Sequence, residues 1–374
     1  MEILDKSNTK QIEEYERFNL LHGNFMQSLQ WANVKSNWSW EAVLSRDEQG
    51  RLWGTCLVLI RKIPLSGTSF MYAPHGPVLD WENKKAAEDI FDGITVIAEK
   101  YRAYRFMCDP LLAEGKPRVL STLGFSHNKN ADECETVQPR ANYLLKNIGG
   151  KSEEELIALF RPDHRNRVRK AARKGVYCRK CGAEALDDFY PLMQQTGRRD
   201  KILIRSKEYF ARFLNSFSAE QCRLFMCYAE IGGREVPLSG AVAVRYGKTA
   251  TYVYGASSDS NRNLYPNYLM QLEMMKWAIE GGCDVYDFGG IPHYDDETNP
   301  AFGLYRFKKG FNGEVVVYAG EYAYDFKPTT AKLADLGVHL LRGRYHPKRD
   351  PLGGSAPEPP PKGHCPFGNP VNIC

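Results

Sequence analysis

The chain has 374 residues, an apolar fraction of 43% and a formal net charge of +5, enough for about two domains with separate cores. That charge is too mild for composition alone to announce a nucleic-acid binder, and no run approaches the ~18 consecutive apolar residues of a spanning helix. Met1-Glu-Ile-Leu-Asp-Lys6 lacks the apolar stretch of a signal peptide, and the ten cysteines sit at irregular spacings, several inside apolar runs (Cys56, Cys108, Cys227, Cys283), so the expected setting is cytoplasmic with reduced thiols.

A charged, helical leader precedes Gln27-Ser-Leu-Gln-Trp-Ala-Asn-Val-Lys35. Branched apolar residues predict a strand over 54–63, and Phe70-Met-Tyr-Ala-Pro-His-Gly-Pro77 predicts a short strand running into a turn. Ala87, Ile90, Phe91, Ile94, Ile97 and Ala98 recur at a helical period over 83–101. A strand at 105–109 follows, stopped by Pro110. Ser152-Glu-Glu-Glu155 is a capping-box pattern opening a helix, and Pro162 starts a second helix that runs to Gly175. The second half then repeats the order of the first. Strands are predicted over 224–231, 237–246 and 250–256, with Gly232-Gly233 as a hairpin signal. A helix over 266–280 begins at a proline and ends at Gly281-Gly282, and a strand follows over 285–288. Each half reads as strands, a helix and a strand ending at an aspartate (Asp109, Asp287). The expected fold is therefore α/β, in two similar domains. From about His346 the chain is proline-rich and apolar-poor, and it reads as a flexible appendage.

Two segments draw attention to chemistry. Tyr286-Asp-Phe-Gly-Gly-Ile291 reads as a buried strand ending on Gly289 and Gly290, where a substrate can approach the backbone. Gly303-Leu-Tyr-Arg-Phe-Lys-Lys-Gly-Phe-Asn312 sets Lys308 among Tyr305, Phe307 and Phe311, a cation held beside a binding surface rather than in a solvated run. Together they suggest a site for negative charge. On the helix from Pro162, Arg165, Arg169 and Arg173 are spaced by four and share one face, with Arg167, Lys170 and Lys174 beside them. This is either a phosphate-contacting patch for RNA or a solvated face balanced by the acidic turn Glu153–Glu155. Cys178-Arg-Lys-Cys181 has half a zinc spacing without a second half, and neither it nor the pair Cys365 and Cys374 supports a metal. Tyr252 and Tyr254 alternate on a strand and are expected to share a face, as groove lining or as core. Arg205 with Tyr209, and Lys35 eight residues after Gln27, carry no signal singly. No phosphate loop, dinucleotide fingerprint or nucleophile elbow is present.

In order and spacing, Gln27…Gln30-Trp31…Lys35, Tyr72-x-Pro-x-Gly-Pro77, Asp109-Pro110, Tyr265-Pro-Asn-Tyr268, Tyr286-Asp-Phe-Gly-Gly-Ile291 and Phe307-Lys308-x-Gly-Phe311 resemble the Fem aminoacyl-tRNA-dependent transferases, over about residues 25–328. The resemblance implies two tandem acetyltransferase-like (GNAT) domains with mixed, mostly antiparallel sheets. Their spans would be 1–145 with a returning segment 318–345, and 146–317, with 346–374 as the tail. The short 183–217 stretch matches the compact, FemX-like form, without a long helical hairpin. The implied reaction moves a small amino acid (glycine, alanine or serine) from aminoacyl-tRNA to the side-chain amine of residue three of the peptidoglycan precursor. That precursor is lipid II or UDP-MurNAc-pentapeptide.

By position, Lys35, Tyr104, Arg205, Tyr209 and Tyr254 match precursor-binding residues. Asp109 matches the acidic group near the acceptor amine, and Lys308 the lysine beside the reacting ester. Tyr252, Gly289 and Gly290 complete the expected substrate surface. Arg165, Arg169, Arg173 and Lys174 are the expected tRNA contacts. The resemblance implies no cofactor and no metal, aminoacyl-tRNA being a co-substrate, and it leaves peripheral contact with the inner membrane face open. Competing expectations are an acetyl-CoA N-acetyltransferase, opposed by the missing pyrophosphate loop, a transferase acting on a natural-product amine, and a non-catalytic precursor- or RNA-binding protein.

Overall fold

The structure, a computed structural model, describes residues 1–64, 66–113, 118–128, 136–200 and 202–344. The tail from residue 346, with Cys365 and Cys374, lies outside the described residues. In chain order the elements are β1 (Glu2–Ile3), α1 (Thr9–His22), α2 (Leu29–Val34), β2 (Ser39–Arg46), β3 (Leu52–Lys62), β4 (Ser69–Ala73), β5 (Val78–Leu79), α3 (Lys84–Tyr101), β6 (Ala103–Cys108), α4 (Arg118–Thr122) and β7 (Ser126–His127). There follow β8 (Ala141–Lys146), α5 (Glu153–Leu159), α6 (Pro162–Arg173), β9 (Tyr177–Cys181), α7 (Leu186–Asp200), α8 (Lys207–Ser216), β10 (Cys222–Ile231), β11 (Arg234–Tyr246), β12 (Thr249–Ser257), α9 (Pro266–Glu280), β13 (Val285–Gly290), α10 (Phe302–Lys309), β14 (Glu314–Val317), β15 (Tyr322–Asp325) and α11 (Pro328–Arg344). The chain divides into one unit of Met1–Gln138 with the described residues from Tyr318, and a second of Pro139–Val317. Residues 141–145, inside the 1–145 span expected for the first domain, belong with Lys146 to a strand of the second unit's sheet.

The first unit is an eight-stranded sheet in the order β1-β2-β3-β4-β6-β15-β7, with β5 on β3. Every pairing is antiparallel except β4–β6, which α3 connects as a crossover. That helix starts where the Asn83 side chain accepts from the Ala86 amide and ends on left-handed Arg102. Its apolar stripe, including Ile90, Ile94 and Ile97, is buried on the sheet with Val43, Val58 and Phe106, each such isoleucine contributing about 1.5–3 kcal/mol. β15 returns late in the chain to pair with β6, and Arg105 of β6 binds both Asp325 and Asp335.

The second unit repeats the plan in a seven-stranded sheet, β14-β8-β13-β12-β11-β10-β9. Here the one parallel pair is β12–β13, connected by α9. Nine residues of α9 are buried, among them Met270, Met274, Met275 and Trp277, so the helix is apolar nearly all round, as an internal helix must be. β12 carries a bulge: Val242 pairs with Tyr254 and Ala243 with Tyr252, leaving Val253 unpaired. The expected common face of Tyr252 and Tyr254 is therefore corrected. The extra residue flips the alternation, so Tyr252 joins the α9 core while Tyr254 packs against Tyr209, Phe210 and Phe213 of α8.

Candidate functional site

In the first unit, the turn after β4 and the residue after β6 meet. The Tyr72 hydroxyl donates to Asp109 Oδ2 at 2.5 Å, and the His75 amide to Oδ1 at 2.7 Å. Gln27 holds that turn in place: its Nε2 donates to Pro74 O at 2.8 Å and its Oε1 accepts from Leu57 N at 2.8 Å. Asp109 is buried. Burial pushes its carboxyl well above the usual range, against the pull of Tyr72 and His75 and with help from Glu321. Elsewhere in this unit the Lys35 ammonium lies 4.4 Å from the Trp31 ring. Tyr104 is buried beside Phe70.

In the second unit, the aromatic segment around Lys308 forms the helix α10. Its aromatic residues pack against one another and their neighbours, with Phe307 also reaching the cleft wall. Phe307 meets Phe311 and Tyr268, and Tyr305 meets Tyr143 and Tyr294. Lys308 projects inward and is fully buried, its Nζ donating to Gly290 O at 2.8 Å. Burial pulls its pKa down to about 7, opposed by the charge of Asp287 from beyond ion-pair distance. Asp287 is raised by its own burial and lowered by the Gly289 amide at 2.7 Å, by Asn142 at 3.0 Å and by Lys308. The glycines thus serve the lysine more than they open the backbone. Gly289 has φ +75°, a conformation suited to glycine, and a Cβ on Gly290 would lie 2.3 Å from Pro139.

The outer wall of α10 borders a cleft of about 640 Å³ lined by Gly303, Leu304 and Phe307, by Arg167, Arg199 and Arg262, and by Tyr252, Tyr265 and Tyr268. Asp200 lines it too, and Arg199 pairs with Asp200 and Asp259 and Arg262 with Asp259, so the cleft is polar and partly charge-balanced, and its three phenols offer faces for stackable rings. Beside it, α6 buries His164, Val168 and Ala171 and turns Arg169, Arg173 and Lys174 to solvent, with Arg165 half-buried. The acidic turn does not neutralise this face. Glu153 pairs with Lys276 at 2.7 Å and Glu155 closes the capping box. Among the described residues Arg165, Arg169 and Arg173 form no ion pair, whereas Lys174 donates to Asn263 O at 2.8 Å. On the other face of the sheet the Tyr209 and Tyr254 hydroxyls are 3.1 Å apart. Arg205 lies over the Tyr209 ring and donates to Tyr254. Burial raises the pKa of both phenols. Cys178 and Cys181, three apart on β9, face opposite sides, with Cys178 opposite Cys227.

The sequence model of the FemAB family matches residues 10–233 and 227–337. The chain belongs to the FemAB family. It is 28% identical over 386 residues to the lipid II:glycine glycyltransferase of Staphylococcus aureus, covering 83% of this chain and 91% of that protein. The crystal structure of FemX superposes with a TM-score of 0.81 at 25% identity, over 89% of this chain and 99% of that one. A tandem GNAT protein from the clavulanic acid pathway shares the fold at 9% identity, TM-score 0.55, over 87% of this chain and 98% of that one. The two units of this FemAB protein are tandem GNAT-like domains, and each sheet's lone parallel pair is reached by a helical crossover.

Within this FemAB protein the structure brings Arg205, Tyr209 and Tyr254 into one cluster, and Lys308, Gly289 and Gly290 into another. Tyr252 joins neither; it lines the arginine cleft. Asp109, Lys35 and Tyr104 belong to the first unit. Asn142, His164, Arg199 and Arg262 went unread in the sequence. Asn142 reaches Asp287 across 145 positions, a separation that local pattern does not encode. No helix of the described residues is long and apolar enough to cross a membrane.

Proposed function

We propose that this chain is an aminoacyltransferase that moves a small amino acid from its tRNA ester to the side-chain amine at position three of a peptidoglycan precursor. The carrying observation is Lys308, a buried lysine fixed on the Gly290 carbonyl, in a chain whose relatives include a lipid II:glycine glycyltransferase. One N–H of the ammonium is used on that carbonyl and two remain. Those two are available to an oxyanion, an interaction whose removal typically costs about 3–4 kcal/mol in the transition state.

The aminoacyl ester is already activated, so the transfer itself consumes no ATP. The acceptor amine, with a pKa of ~10.4 in water, must shed a proton to attack. Asp109 would hold the ammonium form and take up its proton, and burial brings the carboxyl nearer that task than a solvated one. As the tetrahedral intermediate collapses, the new amide C–N bond replaces the ester C–O bond. The ammonium's first proton passes to Asp109 and on to solvent, and the second, lost from nitrogen after attack, ends on the departing ribose oxygen. The arginine–tyrosine cleft beside α10 suits the acceptor end of the tRNA, whose bases stack without sequence readout. The outward arginines of α6 would meet backbone phosphates. Arg205 with Tyr209 and Tyr254 in the second unit would contact the precursor, as, taken by themselves, would Lys35 and Tyr104 in the first.

The test supplies purified protein with a mixed pool of charged tRNAs and a pentapeptide precursor, in soluble and lipid-linked arms, and reads the mass gained. A gain of one small aminoacyl residue is expected in at least one arm. No gain with any charged tRNA, or a gain of acetyl from acetyl-CoA instead, rejects the reading.

A further inference from the structure

The start of the basic helix and the end of the lysine helix are fastened together. The last carbonyls of a helix need partners, and two at the end of α10 find them at the start of α6, Phe307 O accepting in addition from the Gly310 amide at 3.2 Å. His164 Nε2 lies 2.9 Å from Phe307 O, which fixes that nitrogen as the donor, and the Arg161 amide donates to Gly310 O at 2.9 Å. Lys308 sits between these two carbonyls. The imidazole also packs on Tyr268 and Phe311, with ring centroids 4.9 Å away in each case, and is buried. Room for it depends on a missing side chain. A Cβ on Gly310 would stand 1.9 Å from His164 Cε1.

We propose that His164 is a positioning residue for Lys308, locking the last turn of α10 to the inner face of the helix whose outer face carries Arg165, Arg169 and Arg173. The proposal rests on the reading of Lys308 as the oxyanion-binding group. Its consequence is a division of labour on one helix. The outer arginines set how tightly RNA is held, whereas the inner histidine sets whether the lysine is in place once it is held. A reacting group displaced by about 1 Å loses on the order of 10²-fold in rate, and the imidazole is the side chain that prevents such a shift in this turn.

Three variants test this in the full chain: His164→Ala, His164→Gln, which keeps a donor, and Gly310→Ala, which keeps the imidazole but denies it space. His164→Ala and Gly310→Ala are each expected to lower kcat ~10²-fold with KM for charged tRNA and precursor little changed, and His164→Gln to recover part of the loss. The double variant should be no worse than the poorer single, since both remove one contact. Additive losses, or an unchanged kcat in His164→Ala, overturn the proposal. A second readout needs no activity: labelling of Lys308 by an amine-reactive acylating reagent, followed by peptide mass spectrometry. Slow labelling in the wild-type protein and several-fold faster labelling in His164→Ala and Gly310→Ala are expected. Equal labelling in all of them overturns the proposal even where kcat falls. Faster labelling in a protein whose wild-type form transfers nothing from any charged tRNA keeps the positioning role and rejects the aminoacyl transfer reading.

Discussion

Both halves place a buried aspartate after the same crossover, β4–α3–β6 before Asp109 and β12–α9–β13 before the end of the strand carrying Asp287. Their surroundings then part. Asp109 receives a phenol and one amide, with Glu321 adding negative charge. Asp287 receives Asn142, the Gly289 amide and the field of Lys308. Burial raises both carboxyls, but in the second half a cation works against it. Asp109 lies just past the end of β6 and Asp287 inside β13, so the two carboxyls hold different places along their strands, and the second has a cation nearby. The lesson is that a duplicated topology repeats the crossover, while the place of the carboxyl on its strand and the charge beside it differ between the halves.

Removing the cation should break the comparison most severely. Lys308→Met is expected to lower transfer by ~10²–10³-fold, the usual cost of losing an oxyanion donor, while leaving precursor affinity intact in a calorimetric titration. The same variant should melt higher than the wild type near pH 7. The folded-state pKa of about 7 lies below the unfolded value of ~10.4. Between these limits the unfolded chain binds more protons, so wild-type stability rises with pH across that window. Methionine removes the term, and its advantage should shrink as melting is repeated from pH 7 towards pH 10. A uniform advantage at every pH would show that Lys308 does not titrate there.

The two aspartates separate next. Asp109→Asn should cost ~10²-fold on the pH plateau, with the deficit shrinking at lower pH as the acid limb disappears, because the group that must be ionised to hold the amine is gone. Asp287→Asn removes the charge that opposes the burial of Lys308. The lysine then loses its proton at lower pH, and the alkaline limb should move to the acid side, with ~10-fold loss near pH 7.5. Identical profiles for the two variants would deny the distinction. Smaller again is the effect of Arg165→Glu/Arg169→Glu/Arg173→Glu. It should raise KM for charged tRNA, leave kcat at saturation near wild type and flatten the salt dependence by about three phosphate contacts.

Much of the fold was legible because the signals are local. The period of Ile90, Ile94 and Ile97 gave α3, and Pro266 with Gly281-Gly282 bracketed α9 to the residue. The capping box at Ser152 is present as read. The carboxylate and the lysine were reachable through motif order. What stayed hidden depends on separation. Asn142 meets Asp287, and His164 meets Phe307, across more than a hundred positions. Lys308 was expected beside a binding surface because its neighbours are aromatic. In the helix those neighbours turn to the core and the cleft wall, and the lysine takes the remaining inward direction. Nothing in the local pattern marks Gly310, yet its lack of a Cβ is what admits an imidazole.

The bulge in β12 offers the finest discrimination. Strict alternation puts Tyr252 and Tyr254 on one face, so their hydroxyls would serve the same ligand. With Val253 unpaired, Tyr254 instead bonds Tyr209 and Arg205 on the α8 side, and Tyr252 borders the cleft beneath α9. Tyr254→Phe should therefore weaken precursor binding by about fivefold, the ~1 kcal/mol of one hydrogen bond, and leave KM for charged tRNA unchanged. Tyr252→Phe should leave the precursor constant alone, its effect confined to charged tRNA. The pair is measured in one assay with each substrate varied in turn. Should both variants move the precursor constant together, the two phenols face one ligand, and the assignment of cleft and cluster to different substrates fails.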